Sequence, residues 1–388
     1  MTKLTNLTLL SLSGNFMISG TMPSHLGAMT SLVRLSLKNN NISGPIPSEI
    51  GALTILDMLD LSDNNLSHAI PAEMGLLTAM VDLNISHNSL SSSIPTEIGM
   101  LSALQTLYFE HNRMSSEIHT YLGWMRNLSN LYGYDNMLSG ELPTELGLLT
   151  GMRNLRFGTN NISGSIPTEL HSMTLLDILH LSNNQMDGEI PSVLGVLTFL
   201  DSIDLSHNQL KGPIPSEFGL LASGDIIFLS GNYISGYIPS ELGMMPWLAA
   251  LHLDANLLSG SIPSELGNLM WMSELNLSNN LLNGTLPTEF GRSHQMEVNI
   301  LIWAISMFLA MLACLEQYQR RFASWAAAHV FMVVLGSHSI VHLALTVGRM
   351  MWCSVVVIVS AWCDCECKCV VLMRLHSNST TKYSLYSL

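Results

Sequence analysis

Prolines in this 388-residue chain fall on an arithmetic lattice. Eleven of the 14 stand at positions 23, 47, 71, 95, 143, 167, 191, 215, 239, 263 and 287, a step of 24 residues. The one gap in the lattice, at 119, holds His119. A period of this length means one supersecondary unit stacked many times, so fold and function must be read repeat by repeat. An Asn also keeps its place in each unit, from Asn40, Asn64 and Asn88 through Asn136 to Asn256 and Asn280. The repeat that lacks its proline keeps its Asn, Asn112.

The unit is legible in LSLKNNNISGPIPSEIGAL, Leu35–Leu53. Its opening alternates apolar and polar residues, which predicts a short strand with one buried face. Leu32, Leu35, Leu37, Ile42, Ile46, Ile50 and Leu53 supply the expected core. Asn40 follows the strand, where the turning backbone leaves polar groups unpaired, and a side-chain amide offers both donors and an acceptor to satisfy them. Gly44 and its equivalents suit a positive φ. His68, Ser92 and Ser116 hold that slot in three consecutive repeats. Proline then fixes φ at the entry to SEIGAL, which predicts a short 3-10 or α turn.

Written as LxxLxLxxNxLSGxIPxELGxL, the unit resembles the plant-type leucine-rich repeat, over about residues 4–291. The resemblance implies an α/β repeat fold: a right-handed solenoid of about 12 repeats, with a parallel concave sheet and short 3-10 or α convex segments. Proteins with this repeat include receptor-like kinase ectodomains, receptor-like proteins without a kinase, and inhibitors of polygalacturonase. We therefore expect a solenoid over residues 1–291 and a separate tail over 292–388.

Residues 1–291 carry 25 acidic and 8 basic residues, a net of −17. That surface argues against nucleic acid as a partner. The chain shows no HExxH, no GxSxG, no phosphate loop and no kinase signature set. Its many carboxylates have a structural explanation. Glu49, Glu73, Glu97, Glu145 and their equivalents keep the 24-residue register just after the proline, where they complement unpaired N–H groups of a first turn. We expect no catalysis, no cofactor and no metal.

Sequons occur at Asn6, Asn41, Asn65, Asn84, Asn127, Asn161, Asn276 and Asn283, consistent with a glycoprotein. The repeat consensus itself writes several of them. The chain opens almost inside its first repeat, MTKLTNLTLLSLSGN, without an apolar leader. We expect Leu7, Leu10 and Leu12 to face water or a missing neighbour there.

At Arg292 the composition changes. The last 97 residues have no proline, two glycines and all six cysteines. Val298–Leu315 is 18 residues without a charge, near the lower limit for a membrane-spanning helix, and Arg320 and Arg321 follow it. The tail is therefore expected to be apolar and helical and to attach the protein to a membrane, with the solenoid extracellular or lumenal. Its cysteine run, Cys363, Cys365, Cys367 and Cys369, could hold a soft metal or palmitoyl groups, or be a chance cluster.

Function should lie where the repeats differ. Outward strand positions are mostly Ser, Asn and Asp, but three consecutive repeats present Tyr108, Glu110 and His111, then Tyr132, Tyr134 and Asp135, then Arg156. Tyr and Arg are enriched at binding hot spots; exposed aromatics also simply pair across strands. The leading expectation is a non-catalytic, receptor-like module that binds a peptide, glycan or protein on its concave face and signals through a co-receptor. The alternative is a soluble solenoid that inhibits an enzyme or acts as a scaffold, its tail an artefact.

Overall fold

The computed structural model describes residues 4–292 and, beyond them, five strands between 328 and 387. The chain divides into two units, Met1–Ile302 and Trp303–Leu388.

In the first unit every repeat contributes a three-residue strand to one parallel sheet, Leu9–Ser11, Arg34–Ser36, Met58–Asp60 and onward to Glu274–Asn276. Among the described residues this sheet has twelve strands in strict chain order. Register never slips: Leu35 pairs with Leu59, and Leu131 pairs with both Leu107 and Leu155. A slip of one residue would turn each buried Leu to solvent, so the core pattern locks the pairing. The seven apolar positions read from Leu32 to Leu53 are all buried. Leu7, Leu10 and Leu12 of the first repeat are only partly buried against this core.

A lattice proline precedes a five-residue 3-10 segment in every repeat but one, such as Ser48–Ala52 after Pro47 and Thr144–Leu148 after Pro143. Glu49 and Glu145 lie in the first turn of those segments, as their spacing implied. His119 adopts φ −81° and ψ 153°, close to the −69° and 138° of Pro143, so the odd repeat still builds its segment, Thr120–Trp124. Tyr121 stands there where most other repeats carry Glu, and its hydroxyl donates to the buried Ile94 carbonyl.

A second sheet was not foreseen. Short strands such as Asn41–Gly44, Asn65–His68 and Asn161–Gly164 pair in parallel along the side of the stack. Eight form one sheet ending at Gln185–Met186, and four form another beginning at Lys211–Gly212. These strands end in the Gly44 slot, where φ is +78°. His68, Ser92 and Ser116 keep the same conformation at φ 71°, 71° and 84°. The backbone requirement is therefore constant, and only the residue that bears it varies.

In the second unit the described residues form a five-stranded antiparallel sheet in chain order: Ala328–Leu335, Ile340–Val347, Met351–Ile358, Val370–Ser377 and Thr380–Ser387. This corrects the expectation of a helical tail. The apolar runs there are rich in β-branched residues, including Val355, Val356, Val357 and Ile358, whose stiff side chains favour strands. Among the described residues no helix is long and apolar enough to cross a membrane. Val298–Leu315, Arg320, Arg321 and the run Cys363–Cys369 lie outside the described residues.

Candidate functional site

Strict register turns sequence spacing into geometry. Residues 24 apart become neighbours on adjacent strands, about 4.8 Å apart. One outward row therefore runs Asn84, Tyr108, Tyr132, Arg156, His180, Asp204, Phe228 and His252. Tyr108 and Tyr132 stack with centroids 4.7 Å apart and planes 14° from parallel. The Arg156 guanidinium carbon lies 5.5 Å from the Tyr132 ring centroid.

Just beyond the strands lie Glu110 and Tyr134, in places that most other repeats fill with serine. In those repeats the serine is tied down: Ser62 and Ser206 each donate from both backbone N–H and Oγ to the aspartate two residues before, Asp60 and Asp204. Ser206 is buried, although its outward alternation marks it as exposed. Glu110 and Tyr134 exchange that local closure for larger groups.

Next along the chain, Asp63, His87, His111 and Asp135 share a left-handed conformation, with φ between 51° and 55°. Asn, Asp and His tolerate this region better than most residues. His111 stacks on His87 at 4.1 Å, meets the Tyr134 ring edge-on at 4.9 Å, and lies 2.5 Å from an Asp135 carboxylate oxygen through Nδ1. All seven sequence-predicted residues thus stand together on three adjacent strands and the turns that follow them.

The repeat frame positions this group in two ways. Asn136 donates to the Phe109, Gly133 and Tyr134 carbonyls and accepts from the Met114 N–H, pinning the turn below Tyr134. Beneath Tyr132 and Tyr134, Gly133 stands at a core position between Phe109 and Phe157, whose rings sit 6.2 Å apart. A Cβ on Gly133 would collide with the Phe109 ring. Two large rings and a missing side chain keep the local core full at constant repeat spacing.

Electrostatics centre on Glu110. Only 7% exposed, it has its pKa raised by burial, while its own N–H, His111 and Ser86 pull the other way. Burial raises the phenols of Tyr108, Tyr132 and Tyr134, and the Glu110 charge adds to the push on each. Glu110 Oε2 and Arg156 Nε are buried without a hydrogen-bond partner. Among the described residues Arg156 forms no ion pair.

Two neighbours escaped the sequence reading. His87 extends the group toward the N-terminus through its stack on His111. His180 extends it past Arg156; burial, then Arg156, lowers its pKa, and its Nε2 lies 2.9 Å from Ser202 Oγ. Both lie 24 residues from a chosen position, so the period itself could have found them. A separate stack, Phe228 on His252 at 4.4 Å, with His252 3.1 Å from Glu274, forms a smaller aromatic cluster further along.

Comparison with known proteins agrees with this architecture. The leucine-rich repeat family model matches residues 5–66, and a second model of the same repeat matches 80–101, 175–197, 199–221 and 272–293. No curated protein matches the chain. The solved structure of PEPR1 with AtPEP1 is 32% identical, with a TM-score of 0.66, and the match covers 74% of this chain and 44% of that one. The plant peptide hormone receptor RGFR1 in complex with RGF2 is 31% identical at a TM-score of 0.53, covering 76% and 59%. A leucine-rich repeat protein of Leptospira interrogans is 30% identical at 0.63, covering 76% and 78%. The chain thus spans 44% and 59% of the two receptor chains. Motif, register and these likenesses agree, and the chain belongs to the leucine-rich repeat family.

Proposed function

We propose that this protein is a non-catalytic recognition module that binds a peptide or protein segment across the outer face of its twelve-stranded sheet. The binding centre comprises Tyr108, Glu110, His111, Tyr132, Tyr134, Asp135 and Arg156. One observation carries the reading. Where four repeats close this face with Ser–Asp or Ser–Asn bonds, three adjacent repeats carry aromatic rings and two buried polar atoms without a hydrogen-bond partner. A stacked, rigid aromatic platform gives contact area at small entropic cost. The likeness to a peptide hormone receptor supports a peptide as the ligand class. On this reading the solenoid is extracellular or lumenal, and a separate co-receptor transmits the signal.

The test is selection of a randomised peptide display library on the full chain. Recovery of a peptide family by the protein, and its loss with the Tyr132→Ala, Tyr134→Ala double variant, supports the proposal. Equal recovery by both proteins contradicts it.

A further inference from the structure

A carboxylate buried without a cation is unusual, because taking charge out of water costs several kcal/mol unless a partner compensates. Glu110 is 7% exposed; its own N–H, His111 and Ser86 compensate its charge only in part, and its Oε2 has no hydrogen-bond partner. The ion pairs among the described residues join Arg34 to Asp57, Lys38 to Asp63, His111 to Asp135 and His252 to Glu274. Arg156, a permanent cation on the same face, lies over the Tyr132 ring.

The surroundings of Glu110 are those of a cation site. Register sets Tyr132 beside Tyr108, and the His111 N–H donates to the Tyr134 carbonyl, so the three rings flank the turn that carries Glu110. Aromatic faces attract Lys, Arg or alkylammonium groups, most strongly where water is excluded. His111 closes one side, with its Nδ1 already held by Asp135. Serine occupies the Glu110 place in most other repeats, and Ser62, Ser86, Ser206 and Ser278 are each satisfied by the residue two before. A repeat that only needed structure had that solution available. The solenoid's excess of acidic residues, 25 against 8, would also draw a basic ligand to the protein.

We infer that Glu110, walled by Tyr108, Tyr132, Tyr134 and His111, is the subsite for a lysine or arginine side chain of the bound peptide. This rests on the peptide-binding reading and specifies its ligand chemistry. The cation pairs with Glu110 Oε2 while its alkyl stem lies along the tyrosine rings. Arg156 marks the other end of the aromatic row and excludes a second cation there by like charge.

The display selection separates the two claims. If the subsite is right, peptides enriched on the full chain share a Lys or Arg at one fixed position. Selection on Glu110→Gln, with its melting temperature checked against the parent protein, loses that preference and keeps the flanking consensus. The reciprocal change needs no protein variant: replacing the enriched Lys or Arg by norleucine or citrulline should weaken binding at least about tenfold to the parent protein and little to Glu110→Gln. Enriched peptides without a fixed basic residue, or an equal loss on both proteins, overturn the subsite while peptide binding stands. No enrichment at all overturns the peptide-binding reading and the subsite with it.

Discussion

Tyr108 and Tyr132 stand 24 residues apart in sequence, yet their rings stack with centroids 4.7 Å apart. That distance is the spacing of neighbouring strands in a sheet. The stack is thus a direct consequence of a register that never slips, and it shows how the solenoid makes a surface. Chemistry written once per repeat becomes a continuous row. The same rule stacks His111 on His87 and Phe228 on His252.

The Asn column should be the costliest polar feature to remove. Asn136→Ala strips three carbonyls of a donor and the Met114 N–H of its acceptor. We expect a loss of about 1–3 kcal/mol in denaturant unfolding. Ser206 faces outward by alternation, but its N–H and Oγ both donate to Asp204. Ser206→Ala should therefore cost about 1 kcal/mol rather than nothing. A loss for Asn136→Ala no larger than for Ser206→Ala would argue against the column as the frame of the turns.

His119→Pro should stabilise the protein. His119 already holds φ −81°, within reach of the proline ring, and the other repeats show that the site accepts proline. Restricting the unfolded chain at a compatible position gains about 0.4–1 kcal/mol. Loss of the ring contact to Tyr121, at 5.5 Å, works against part of this. A lower midpoint in urea than the parent protein would show that the His119–Tyr121 contact matters more than the backbone.

Glu110 should leave a signature in stability against pH. Its carboxyl is raised above an ordinary value of 4.5, chiefly by burial. A raised acid contributes stability that is full below the unfolded pKa and is lost as pH climbs through the folded one. Glu110→Gln removes that loss. Relative to the parent protein, the variant should melt higher at pH 7 than at pH 4, with the change beginning near pH 4.5. Equal differences at both pH values would mean that burial does not perturb this group.

Much of this was legible before any coordinates. The 24-residue period gave the strand, the Asn column and the 3-10 segment, because each follows from a residue whose physics is local: Leu35 by alternation, Asn40 by its amide, Pro47 by its fixed φ. The tyrosine group was legible too, as a departure from that period. The second sheet was not. In Asn41–Gly44 only Ile42 is buried, so no alternation announces a strand, and the pairing rests on backbone groups of the next repeat. Gly133 was missed because its role depends on Phe109 and Phe157, one repeat to either side. Over the described strands of the tail, hydrophobic length argues for helix while β-branched content argues for strand, and there length is the weaker guide.

The central claim is that the tyrosine group binds rather than packs. The most direct measurement is the calorimetric affinity of one display-selected peptide for the full chain and for three variants. Tyr132→Ala and Tyr134→Ala should each weaken it about tenfold or more. Leu76→Ser, at an exposed position in one of the 3-10 segments, should leave affinity within about twofold. Aromatic variants that melt lower yet bind the peptide as tightly as the parent protein would contradict the account and move the binding site elsewhere.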